Sequence, residues 1–192
     1  MEASVMTAIQ RCHWANVSPE MQAYHDQEWG KPIYTDQALF ERLCMETYQA
    51  GLSWATVLHK RQAFHRVFHD YQLVAVAAMT SDEITAALQN PAIIRNRRKL
   101  EATVSNARAF LKVSVAYHGF ANYFWPAVGD YPIKHVVTVQ HAAPTQTPLS
   151  AKLAKDLKQR GFKFVGPVSM YAFMQSVGAV NDHEMTCAWR SS

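Results

Sequence analysis

Apolar positions recur at helical rather than strand spacing along most of this chain. From Gln37 to Ala50, Leu39, Leu43 and Ala50 fall on one helical face, and Gly51 ends the run. Ser53 then caps a second helix whose inner side carries Trp54, Val57, Leu58, Phe64 and Phe68. Thr80-Ser81-Asp82-Glu83 spells a capping box that opens a short helix to about Leu88, before Asn90-Pro91 breaks the chain. A long helix follows with Leu100, Val104, Ala107 and Leu111 in register. Pro126, Pro132, Pro144 and Pro148 predict an irregular connection over 126–148, with short extended pieces around Val136 to Val139. Ser150 opens a further helix that Gly161 closes, and Pro167 at a first helical position starts the last one, to about Gly178. Residues 1–10 carry no pattern and read as a loose tail.

Glu46 breaks the pattern. It lies seven positions after Leu39 and three after Leu43, so it shares their apolar face. A carboxylate there is costly unless paired, capped or neutralised. It accepts hydrogen bonds from a neighbouring helix's N-terminus, or its face lies at the edge of the core, or it forms the polar floor of an aromatic pocket. Trp14, Tyr24, Trp29, Tyr48 and Trp54 supply aromatic walls for such a pocket, and core packing is their alternative fate. Rings beside a single buried acid suit a flat, cationic guest.

Composition narrows the setting. A chain of 192 residues fits one domain or two tightly joined small ones, and 49% hydrophobic content excludes disorder. The longest apolar run, Leu73 to Met79, is seven residues, too short to span a membrane. No secretory signal opens the sequence. Three scattered cysteines argue against a disulfide scaffold and for a reducing, cytoplasmic setting with Cys44 free. The net charge of +4 permits an anionic partner without demanding one. Arg95, Arg97, Arg98 and Lys99 form one basic cluster, and Lys152, Lys155, Lys158, Arg160 and Lys163 another. With the short and long helices around it, the first cluster makes a candidate helix-hairpin-helix over about 81–115, a unit that grips DNA backbone. A solvated basic face is the alternative.

Cys12, His25, His183 and Cys187 offer two sulfurs and two imidazoles, a full tetrahedral set for zinc with no open position. Twelve residues separate Cys12 from His25, and His183 and Cys187 stand four apart, as on one helical face. Zinc here is structural and staples the termini together; otherwise the cysteines are buried small hydrophobes.

Six segments in order carry a resemblance: Arg11-Cys12-His13-Trp14, Tyr24 to Gly30, Gln49 to Trp54 with Glu46 just ahead, Ile93 to Arg97, Arg160 to Gly166, and Val180 to His183. Together they resemble the bacterial 3-methyladenine DNA glycosylase I family, over about Arg11 to Cys187. The resemblance implies an all-α helix-hairpin-helix glycosylase fold, a single unit over 1–192 whose terminal segments, 11–30 and 150–187, are joined by one structural zinc. It implies an enzyme that flips 3-methyladenine out of double-stranded DNA and hydrolyses its glycosidic bond, with 3-methylguanine a further candidate substrate; no lysine stands at the matching pocket positions, so a monofunctional enzyme is expected, and a monomer is the default. Glu46 would hydrogen-bond the damaged base, Trp54 stack on it, and Tyr24 and Trp14 enclose it, with Trp29 nearby. An ionised Glu46 would favour the cationic purine over neutral adenine. Arg95, Arg97, Arg98 and Lys99 would contact DNA. A zinc-stabilised module that binds lesions without cleaving them is the alternative. Thr47, Tyr48, Met21, Ala92 and Arg98 depart from the family pattern: Tyr48 either lines the pocket or packs outward, Met21 loosens one wall, and Ala92 is strained if the hairpin needs a positive φ there.

Overall fold

The computed structural model describes residues 9–129 and 132–191, so most of the loose-tail expectation, residues 1–8, lies outside the described residues. A 3-10 turn, His13–Val17, leads into ten α-helices among these residues. They are α1 Pro19–Gln27, α2 Asp36–Gln49, α3 Trp54–His59, α4 Arg61–Val67, α5 Leu73–Ala78, α6 Ser81–Ala87, α7 Arg97–Tyr117, α8 Phe120–Val128, α9 Pro148–Gln159 and α10 Pro167–Ser176. Two short strands, β1 Ile133–Lys134 and β2 Val180–Asn181, pair in parallel.

Helix α2 runs through the middle. It packs against α3, α7, α8 and α10, and every residue from Leu39 to Tyr48 except Glu41 is buried. A helix buried all round cannot choose one apolar stripe, so its polar members must find partners or a cavity. Asp36 at its start accepts from the Phe120 N–H at 2.8 Å and the Ser114 hydroxyl at 2.5 Å, locking α2 to the end of α7 and the start of α8.

The predicted second helix divides at Lys60 into α3 and α4, because the Lys60 N–H turns back to Val57 and Leu58 carbonyls. Helix α8 replaces the front of the predicted irregular segment. Phe120, Tyr123, Phe124, Trp125 and Val128 are all buried, and their burial outweighs the hydrogen bond that Pro126 removes. The extended pairing falls at Ile133–Lys134 rather than at 136–139, where Val136 and Val139 are exposed. Thr147, not Ser150, caps α9: the Thr147 hydroxyl accepts from the Ser150 N–H, and the Ser150 hydroxyl accepts from the Thr147 N–H. In α7 Phe110 and Val113 complete the buried face that Leu100, Val104 and Ala107 begin, and Leu111 is only partly covered.

Helices α6 and α7 form the expected hairpin. Thr80 and Glu83 make the capping box of α6, and Asn96 caps α7 by accepting from the Lys99 N–H. Ala92 has no positive φ, so the alanine there brings no strain.

Candidate functional site

The tight turn from α2 to α3 passes through Gly51 at φ +80° and sets the last turn of α2 beside the first residue of α3. Glu46 and Trp54 therefore open on one cavity of about 580 Å³, which Trp14, Met21, Tyr24 and Trp29 also line. Tyr24 and Trp54 lie 5.2 Å apart between ring centroids, and Trp14 and Trp29 meet edge to face at 5.0 Å. The Tyr24 hydroxyl and the Trp54 indole N–H are buried without a hydrogen-bond partner among the described residues. Buried polar atoms are rarely left so. A flat guest with acceptors and donors on its rim would satisfy them.

Glu46 is 5% exposed and forms no ion pair among the described residues. Burial pushes its carboxyl up to about 8, against the opposing pull of Arg42 and a hydrogen bond with Ser176. Burial thus works against the ionised Glu46 expected from the sequence. A cationic guest would restore its charge, since an opposite charge at short range stabilises the carboxylate. Arg42, one turn earlier on α2, is neutralised by Glu28, and its guanidinium lies 5.0 Å from the centre of the Tyr24 ring.

Tyr48 does not line the cavity. Its ring stacks on Phe64 at 4.2 Å and its hydroxyl meets Thr103 at 3.0 Å, both in the core. Gln49, Gln175 and, from the connection before α9, Val137, Thr138, Val139, Ala142 and Ala143 do line it. Gln49 lay within a recognised motif, but Gln175 and 137–143 arrive from far along the chain and carried no local signal. Gln175 donates to Asp182 at 2.7 Å, which fixes its amide at the cavity wall.

Cys12, His25, His183 and Cys187 are all buried, with their ligand atoms within 4.8 Å of one another. Cys187 Sγ lies 3.5 Å from His25 Nε2 and 3.4 Å from His183 Nδ1, and Cys12 Sγ lies 3.5 Å from His183 Nδ1. Zinc bonds of about 2.3 Å to sulfur and about 2.0 Å to nitrogen, tetrahedrally disposed, give sulfur–nitrogen edges of about 3.5 Å. The donor set fits a tetrahedral metal. Asp26 Oδ1 stands 2.9 Å from His25 Nδ1, leaving Nε2 as the ligating atom, and Arg11 holds Asp26 in turn. His183 and Cys187 meet through a turn after β2, not along a helix: the Cys187 N–H bonds the Glu184 carbonyl at 2.8 Å. Gly30 at φ +77° clears space for His183, whose Nε2 a Cβ would meet at 3.0 Å. Trp29 packs on His183 with centroids 4.6 Å apart, so this centre backs the aromatic wall of the cavity.

Of the four basic hairpin residues, Arg95, Arg97 and Arg98 are exposed. Lys99 is not: it is 5% exposed and donates to the carbonyls of Tyr48 at 2.8 Å and Ala50 at 2.6 Å. Its ammonium caps the C-terminal end of α2, where the helix dipole favours a cation. That removes it from the surface expected to contact DNA.

Ten helices among the described residues, two of them a hairpin tied by Lys99 to the end of the helix that carries a buried acid, are the architecture of the helix-hairpin-helix DNA glycosylases. The methyladenine glycosylase family model matches residues 14–191, and the chain belongs to that family. A DNA-3-methyladenine glycosylase of Haemophilus influenzae is 44% identical over 182 residues, 95% of this chain and 98% of that protein. A crystal structure of a 3-methyladenine DNA glycosylase I superposes with a TM-score of 0.90 at 45% identity, covering 94% of this chain and 99% of the other. A tyrosine-to-phenylalanine variant of such an enzyme, in complex with 3-methyladenine, gives 0.88 at 37% identity, covering 93% and 96%.

Proposed function

We propose that this protein is a monofunctional DNA repair glycosylase that releases 3-methyladenine from alkylated double-stranded DNA. The observation that carries this reading is the shared cavity of Glu46 and Trp54, closed by aromatic rings and holding unsatisfied polar atoms. A stacked duplex hides the glycosidic bond, so the nucleotide must turn out into the cavity. Methylation at N3 leaves the purine cationic and already a good leaving group. The C1′–N9 bond breaks with its electron pair going to the purine, which departs neutral. Water adds at C1′ and gives its proton to solvent. Aromatic faces and the returning charge of Glu46 favour this cation over neutral adenine.

No lysine lines the cavity among the described residues, which supports hydrolysis without a covalent step or strand cleavage. Arg95, Arg97 and Arg98 would hold backbone phosphates. The metal centre is closed by four protein ligands and reads as one structural zinc. We take the chain as a single unit, monomeric, acting on DNA in the cytoplasm; no described helix is long and apolar enough to cross a membrane.

The test is base release from methylated DNA, with products separated. Wild-type protein should release 3-methyladenine, and Glu46→Gln should cut the rate sharply. Wild-type-like release by Glu46→Gln would remove the acid from the reaction.

A further inference from the structure

The stretch from Arg160 to Gly166 joins α9 to α10 and takes no part in the cavity. Phe162 and Val165 anchor it in the core. Lys163 and Phe164, between them, face α7. Asn106 on α7 is fully buried and gives both ends of its amide to the backbone of Lys163: Oδ1 accepts from the Lys163 N–H at 2.7 Å, and Nδ2 donates to its carbonyl at 3.1 Å. Phe164 takes a left-handed backbone, φ 56°, which a bulky side chain adopts only where its surroundings impose it. The Arg98 guanidinium lies 5.9 Å from the centre of the Phe164 ring.

Between α7 and this pinned loop runs a groove of about 460 Å³, lined by Arg98, Glu101, Ala102, Ser105, Lys163 and Phe164. Neither Arg98 nor Lys163 forms an ion pair among the described residues, whereas Glu101 is drawn to Arg97 at 3.4 Å. Two cations thus line the groove without an ion pair of their own, and Glu101, turned to Arg97, is the one carboxylate beside them. Arg98 sits in the first turn of α7, next to the Lys99 that ties this helix to the carbonyls of the α2–α3 turn.

We propose that this groove is a second backbone grip, in which Lys163 and Arg98 bind a DNA phosphate while the Phe164 ring sets the plane of the guanidinium. The inference rests on the glycosylase reading. A phosphate is the occupant that suits a forked donor beside a point charge. Such a contact carries no sequence information, as befits an enzyme that meets its lesion in any sequence. The backbone bonds from Asn106 pre-organise Lys163, so its side chain loses little freedom on binding.

Lys163→Ala retains those main-chain bonds and should melt with wild-type protein. The measurement is the binding of Lys163→Ala, Arg98→Ala and the double variant to a duplex carrying a tetrahydrofuran abasic site, over a range of salt. We expect about three- to tenfold weaker binding for each single variant, with the slope of log K against log salt reduced by about one, and by about two for the double. Lys163→Arg should restore the slope. Wild-type affinity and slope in both single variants would overturn the proposal, as would weaker binding at unchanged slope. If wild-type protein releases 3-methyladenine while the variants bind normally, only the groove falls. If wild-type protein neither releases base nor binds the duplex, the glycosylase reading falls and the groove with it.

Discussion

At Glu46 one carboxyl meets two opposed demands. Its pKa is raised from 4.5 to about 8, so the folded state holds this proton more tightly than the unfolded chain does. Stability is therefore unaffected below about pH 4.5, declines as the pH climbs towards 8, and stays reduced above it. Glutamine keeps the shape and removes the titration. Glu46→Gln should melt within about 1 °C of wild type at pH 5 and on the order of 5 °C higher at pH 9, by calorimetry. The same substitution that impairs base release thus stabilises the alkaline protein. An equal melting difference at both pH values would show that the acid does not titrate in the cavity. Trp54 is only half-buried, so its removal should leave the fold intact. Trp54→Ala should weaken binding of free 3-methyladenine by about tenfold or more, measured by NMR titration, because ring stacking is worth roughly 1–3 kcal/mol. Tyr24 and Trp54 share the need for a guest: each buries a polar atom that nothing described in the protein satisfies.

Between elements, the joint that matters runs from α7 to the end of α2. Lys99 buries its ammonium among carbonyls with no carboxylate partner among the described residues, and burial lowers its pKa. It fixes the hairpin against the turn that carries Gly51 and leads to Trp54. Lys60, between α3 and α4, ties the hairpin turn itself, donating to the Pro91 and Ala92 carbonyls at 3.2 Å. Lys99→Met keeps the length and drops the donor, leaving carbonyls of the α2 end unpaired. We expect a loss of about 1–3 kcal/mol in denaturant unfolding, and slower single-turnover release with little change in free-base binding. Lys99→Arg should recover part of both. Unaltered release in the methionine variant would reduce the contact to packing.

At the scale of the molecule, the first and last described segments meet at the Cys12, His25, His183 and Cys187 cluster. The Ala188 N–H bonds the Gln10 carbonyl at 2.9 Å, the His13 N–H bonds the Glu184 carboxylate at 2.8 Å, and Arg190 reaches the carbonyls of His183 and His135. Gly178 allows the chain at Gly30–Pro32 to cross close by: a Cβ there would stand 2.7 Å from the Gly30 carbonyl oxygen. A metal binding here draws its free energy into folding. Stripping it under denaturing chelation, or Cys12→Ser, should lower the melting temperature by at least about 5 °C. Native mass spectrometry should find one ion per chain, and cobalt substitution should give the absorption of a tetrahedral site. Protein that melts identically with and without chelator would make the four residues an ordinary buried cluster.

Much of this was legible in order along the chain. Capping signals at Ser53, Thr80 and Pro167 opened helices where the structure has them, since such signals act within one turn. The misplacement of Glu46 on an apolar face marked the cavity floor, because burying a carboxyl is costly wherever the chain leads. What the sequence could not settle was set by partners distant along it. Lys99 looked like its arginine neighbours until α2 placed carbonyls over its ammonium. Tyr48 could read as pocket wall or as packing until Phe64 stacked against it. Helix α8 survived Pro126 because five large side chains found a core, and Gln175 became part of the wall only when α10 packed on α2. Local rules fix which residues turn into helix and which are costly to bury; whether a charge faces solvent, a carbonyl or a guest depends on which surfaces the tertiary fold brings together.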